Sequence, residues 1–191
     1  MSWNGSEHNV LLRNIGPSAD GIPRFVDVAL AVGADAIADA RGLAIVDIDN
    51  DGDEDLIVNN NPGDQGLPSI APTLLRNDIG SHRNWLAVKL EGTRGNRDAI
   101  GAIVDLELDR AVSDLAGAPT RVTRHVMVGS GYASQNSQRL TFGLGAAQRA
   151  TKLTVTWPGG EQEIHENIEG GYLWKIRQGD SPVRAQPGKG R

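Results

Sequence analysis

Residues 47–55 read DIDNDGDED, which places aspartate at 47, 49, 51, 53 and 55 and glycine at 52. Counted from Asp47, the side chains of Asp47, Asp49, Asp51 and Asp55 stand at positions 1, 3, 5 and 9 of a tight loop. Asp53, at position 7, offers its main-chain carbonyl, and Gly52 supplies the sharp turn at position 6. These are the positions from which such a loop converges oxygens on one hard cation. Two unit charges about 4 Å apart repel by about 1 kcal/mol in water and about 4 kcal/mol at an effective dielectric of 20. Four converging carboxylates therefore splay without a cation. Calcium suits them best, because it takes 6–8 oxygens in flexible geometry whereas magnesium demands a small octahedron and keeps its waters. The bland alternative is a solvated acidic turn without metal, but five alternating acids around a correctly placed glycine seldom arise by accident.

The surroundings set the loop apart from a helix-loop-helix calcium hand. Position 12 is Val58 rather than a bidentate Glu, and the flanks GLAIV (42–46) and LIV (56–58) are short, apolar and β-branched. Such runs suit strands, so the loop is expected to cap a β-hairpin. Without the position 12 carboxylate, the expected affinity is that of sensors or extracellular modules, weaker than that of high-affinity buffers. The tetrapeptide LLRN occurs at Leu11–Asn14 and again at Leu74–Asn77, bracketing one unit with the hairpin at its centre. Metal binding is accordingly expected to couple to folding of residues 9–80.

The chain has 191 residues, 39% of them hydrophobic, with 24 glycines and no cysteine. That is enough for one good core or two small ones. The net charge of -5 is local, because six of the 24 acids lie in 47–55 and the remainder set 19 basic residues against 18 acidic ones. A balanced remainder without a basic stripe argues against a nucleic-acid partner. The absence of cysteine excludes disulfides, thiol catalysis and thiolate-bound metal. No apolar run is long enough for a transmembrane helix, and residues 1–10 lack the basic and apolar regions of a secretory signal. His8, His82, His125 and His165 show no metal-ligand spacing.

Beyond a polar, turn-rich stretch at 78–84 (DIGSHRN), alternating apolar positions predict strands. They are Leu86, Val88 and Leu90; Val104, Leu106 and Leu108; Val122, Val126 and Val128; Leu140 and Phe142; Leu153, Val155 and Trp157; and Tyr172, Trp174 and Ile176. This pattern suggests an antiparallel sandwich or barrel. Trp157 and Trp174 are expected in its core. The stretch GSGYASQNSQ (129–138) gathers hydroxyls and amides, but no helix follows its glycines and no Ser sits in a nucleophile elbow. It reads as a turn bonded to its own backbone, and Asn96, Arg97 and Asp98 as residues that pin the start of a strand. The Ala-rich stretch 29–40 reads as a connector or a short helix. The tail 179–191 has the composition of a flexible or partner-bound extension.

Two segments resemble known families. RFVDVALAVGADAIADARGLAIVDIDNDGDEDLIVNNN (24–61) is similar to the FG-GAP-like, VCBS-type repeat of extracellular β-propellers, whose calcium loop joins two strands of a blade. NRDAIGAIV (96–104), GSGYASQNSQRLTFGLG (129–145) and LTVTWPGG (153–160) resemble the ASPIC/UnbV domain that commonly follows such repeats. The resemblance implies an all-β protein with a propeller-blade-like calcium unit at 1–80, an ASPIC/UnbV-like β domain at 81–178 and the tail beyond. It also implies an extracytoplasmic location, Ca2+ as the bound ion, each LLRN as an outer blade strand, and a role as a non-catalytic binding or assembly module whose partner is a protein or a glycan. This chain carries one repeat where the family strings several, so a partner chain is expected to complete the structure. A competing reading takes Asp47-x-Asp49 as the opening of a haloacid-dehalogenase-like phosphotransferase or hydrolase with magnesium. That motif wants Thr or Val where Asp51 stands, and it needs alternating helices and strands.

Overall fold

The computed structural model describes residues 7–61, 71–109 and 120–187. Among them the fold is all-β, with one four-residue helix and one 3₁₀ turn (Gly80–His82) that falls within the turn-rich stretch 78–84. No described helix is long and apolar enough to cross a membrane. The strands are β1 (Leu12–Pro17), β2 (Pro23–Asp27), β3 (Ala40–Val46), β4 (Asp55–Asn60), β5 (Thr73–Leu75), β6 (Asn84–Glu91) and β7 (Ile103–Glu107). They continue as β8 (Arg121–His125), β9 (Leu140–Gly145), β10 (Arg149–Thr156), β11 (Gln162–Glu169), β12 (Tyr172–Arg177) and β13 (Val183–Pro187).

The chain divides into two compact units, one of residues 1–43 and 57–75 and the other of 44–56 and 76–191. In the first, β1 and β2 form a separate antiparallel two-stranded sheet, while β4 lies between β3 and β5 in a three-stranded one. The Leu11–Asn14 copy of LLRN thus enters β1 and the Leu74–Asn77 copy overlaps β5, in different sheets. The Ala-rich stretch forms helix α1 (Ala29–Val32), ended by Gly33 at φ 75°, a left-handed C-cap that glycine adopts without strain. The Oδ1 of Asp27 accepts the amides of both Leu11 and Ala29, tying the strand before the helix to the start of β1.

In the second unit two four-stranded sheets run β11-β10-β7-β8 and β13-β12-β6-β9. All their pairs are antiparallel except β6 with β12, which is parallel; no closed barrel forms among the described residues. Alternate residues of both sheets, including Leu86, Val88, Leu106, Phe142, Leu153, Val155, Trp157 and Ile176, fill one shared core, and Trp174 joins them. The period-two alternation predicts these inward positions, because successive strand side chains point to opposite faces. Strand β6 is buried on both faces: Trp85, Ala87 and Leu173 form a second small cluster. Val128, expected on a strand, lies beyond β8 and is exposed.

Two strands escape the alternation rule. β11 (QEIHENIE) turns Glu163 and His165 partly inward, and β13 lies in the segment expected to be a flexible tail. There the Arg184 guanidinium stacks over the Tyr172 and Trp174 rings, 4.5 and 5.3 Å from their centroids, which gives a polar stretch a reason to pair with β12. Residues 188–191 of that tail lie outside the described residues.

Candidate metal centre

The acidic loop joins the neighbouring strands β3 and β4, as the apolar flanks require. Its backbone is wound tight, with Asn50 at φ 60° and Gly52 at φ 99°. Gly52 is needed twice over. A Cβ there would meet the Trp85 indole at 1.7 Å, so the ring lies where any side chain would stand. Gly80 presses on the loop in the same way, since a Cβ on it would come 2.6 Å from Asp53 Cβ.

Asp47, Asp49 and Asp55 each bring one carboxylate oxygen to within 4.8 Å of the others. Ligands on opposite sides of one calcium ion, each at about 2.3–2.6 Å, stand about 4.6–5.2 Å apart. The three oxygens are therefore close enough together to share one ion of that size. Asp49 Oδ1 is buried and has no hydrogen-bond partner, an orphaned acceptor that a cation at this point would satisfy. Asp55 is fully buried; its Oδ2 accepts the Ile48 amide and its Oδ1 the Asn77 amide, both at 2.8 Å. It closes the loop on itself and on the segment after β5. Asp51 Oδ1 accepts the Asp53 amide at 3.2 Å. The donor set is all oxygen and mostly anionic, as a hard divalent cation requires.

Asp47 is also buried, at 6% exposure. Burial raises its pKa, and the field of Arg139 together with the amides of Gly52, Asn50 and Asp51 opposes the rise. Arg139 Nη1 donates to Asp47 Oδ2 at 2.9 Å, and Nη2 donates to Asn50 Oδ1 at 2.9 Å. Next to Arg139, the Asn136 Oδ1 accepts the Ile45 amide at 3.0 Å and the Ser137 amide donates to the Ile45 carbonyl at 2.9 Å. Arg76, whose pKa is raised first by its hydrogen bond with Asp78, also lies in the field of Asp49 and Asp55.

The polar stretch 129–138 does bond to itself. Gln135 Oε1 accepts the Gly129 amide, and the Ser134 hydroxyl donates to the Ser130 carbonyl. It also does more than its composition suggested, because Asn136 and Ser137 hold the strand that leads into the acidic loop. Asn96 Oδ1 accepts the Asp98 amide at 2.9 Å, a local turn ahead of β7. Arg139 carries no local signal, since its partners lie about ninety positions earlier in the chain.

The loop residues 44–56 thus fall in the same compact unit as 76–191. Their hydrogen bonds run to Asn77, Asn136, Ser137 and Arg139, and Trp85 packs on Gly52. The groups that fix the candidate ligands therefore belong to the second unit.

That unit also carries the family signal. Residues 92–183 match the family ASPIC and UnbV. The match covers just under half of the chain and lies wholly within the second unit, so the ASPIC/UnbV region contributes Asn136, Ser137 and Arg139 to the acidic loop. No curated protein matches the chain. Among solved structures, the chain is similar to one described as "a putative cell adhesion protein from Bacteroides ovatus ATCC 8483", at 11% identity and a TM-score of 0.31. That alignment covers 93% of this chain and 59% of the other, so this chain covers less than two thirds of its neighbour.

Proposed function

We propose that this protein is a non-catalytic calcium-binding module that works outside the cytoplasm as part of a larger assembly. The observation that carries the reading is the convergence of Asp47, Asp49 and Asp55 oxygens within 4.8 Å on a glycine-turned loop, with the Asp49 Oδ1 buried and unpartnered. The loop is that of an FG-GAP-like repeat. Asp47, Asp49, Asp51 and Asp55 supply side-chain oxygens, Asp53 supplies its carbonyl, and the sheet β3-β4-β5 is the blade-like part. The two four-stranded sheets of the second unit, which holds the ASPIC/UnbV region, form a β-sandwich. When bound, the ion neutralises the carboxylates and cross-links the loop; it performs no chemistry on a substrate.

The all-β fold supports this reading over a magnesium phosphotransferase, whose parallel sheet needs helices between its strands. The partner is a protein in our reading. It is supported by the two-stranded sheet β1-β2, where Leu12, Ile15, Phe25 and Val26 are 59, 47, 55 and 43% exposed. A calcium affinity in the sensor or extracellular range would be filled at extracytoplasmic calcium levels. Titration calorimetry with calcium and then magnesium tests the reading: one calcium site and weaker magnesium heats are expected. No calcium heat at millimolar concentration, or phosphatase turnover abolished by Asp47→Asn, would overturn it.

A further inference from the structure

The Arg139 guanidinium spans two positions of the acidic loop with a single planar fork, meeting Asp47 at position 1 and Asn50 at position 4. The pair is shielded, the Asp47 side chain being 1% exposed and that of Arg139 18%. Asp47 Oδ2 also accepts the Gly52 amide, so two donors meet that one oxygen and the carboxylate cannot rotate without breaking the ion pair. Neither arm of Arg139 reaches Asp49 or Asp55. The cation braces the rim of the cluster and leaves its centre to another.

Arg139 belongs to a segment with a second connection. Asn136 and Ser137 hold Ile45 of β3, two residues before Asp47. The same segment lines a cleft of about 290 Å³ together with Glu54 of the loop and Arg124, His125 and Ser130. The Ser130 hydroxyl oxygen in that cleft is buried without a hydrogen-bond partner.

We propose that Arg139 is the positioning residue of the acidic loop, holding Asp47 in ligating geometry and Asn50 in the turn beside it, and making cation affinity depend on the 129–139 segment. The inference rests on the calcium reading above. Groups that orient a metal ligand without touching the metal commonly change affinity 10–100-fold when removed. Coupling of this kind is reciprocal, so calcium in the loop in turn stiffens the 129–139 segment and the cleft wall it forms. A guanidinium acting only as a resident competitor would give the opposite sign, with its removal tightening calcium.

The test is calcium titration calorimetry on the full chain as wild type, Arg139→Met, Arg139→Lys and Asn50→Gly, each checked for folding by its calcium-free melting curve. Asn50→Gly suits the backbone at φ 60° and removes only one arm of the fork, so it keeps the test open should Arg139→Met fail to fold. Calcium binding about tenfold or more weaker in Arg139→Met, partly recovered in Arg139→Lys, and weaker in Asn50→Gly with an unchanged calcium-free melting temperature supports the proposal. So does slower amide exchange at Ile45 and Ser137 on adding calcium to wild type but not to Arg139→Met. Wild-type calcium binding with equal or tighter affinity in the folded variants overturns the proposal alone. Absence of calcium binding by wild type overturns the calcium reading and this inference with it.

Discussion

The two compact units solve the burial problem in opposite ways. In the second, both sheets bury large side chains completely: Phe142, Leu86, Leu106 and Ile176 are each 0% exposed. In the first, the buried apolar residues among those described are Ala29, Ala34, Ala38 and Val58, while Phe25 stands 55% and Leu30 82% exposed. One unit draws its stability from packed apolar volume. The other draws it from hydrogen bonds and small side chains, such as the Asn60 amide donating to the Ala71 carbonyl and Thr73 hydroxyl. The acidic loop belongs to the first unit by chain order and to the second by contact, and this is where the comparison can be tested hardest.

The largest expected effect is in the second core. Phe142→Ala should cost about 3–5 kcal/mol in chemical denaturation. Phe25→Ala should stay within about 0.5 kcal/mol in the isolated chain, as exposed positions do. A large cost at Phe25 would mean that its face is covered and would break the contrast.

Gly52→Ala comes next. It combines a left-handed backbone with a collision against the Trp85 ring, and about 3 kcal/mol of destabilisation is expected from the two together. Because Trp85 sits on β6, the loss should appear in the unfolding of the second unit. A loss confined to residues 7–43 would return the loop to the first.

Calcium should act at a similar scale. At a free concentration 100-fold above the dissociation constant it adds about 2.7 kcal/mol of stability, and Asp49→Ala should remove that increment. Exchange protection followed residue by residue shows which unit gains it; the hydrogen bonds to Asn77, Asn136 and Arg139 predict the second.

The smallest effect is acid sensitivity through His165, whose side chain is 13% exposed on β11 and 3.8 Å from Glu163 Oε2. Burial lowers its pKa below 6.5, with Glu163 opposing the shift. The unfolded chain therefore takes up a proton near pH 6.5 while the folded one resists. Stability is complete above that pH and declines as pH falls toward the folded pKa, by less than about 1.4 kcal/mol per pH unit. His165→Gln should flatten this part of the stability profile, measured by denaturation between pH 7 and 5.

Strands with a packed inner face were legible because their residues obey the period of two. Leu86, Val88 and Leu90 alternate in β6, and Leu153 and Val155 in β10 lead directly to Trp157. β11 was not legible, since its inner face carries Glu163 and His165 and its ladder partners, not its side chains, specify it. β13 was hidden for the same reason, with Arg184 supplying stacking that a hydropathy pattern does not register. The candidate ligands were legible from spacing alone. The brace was not: Arg139 meets Asp47 across 92 positions of the chain, a separation that no local window of sequence spans.

The Trp85–Gly52 contact makes the protein its own indicator. An indole seated on the turn of the acidic loop senses nearby charge through its emission, so filling or emptying the loop should alter its fluorescence without any added dye. With Trp3, Trp157 and Trp174 replaced by Phe, that single ring would report the state of the loop in real time, from a residue that touches no ligand at all.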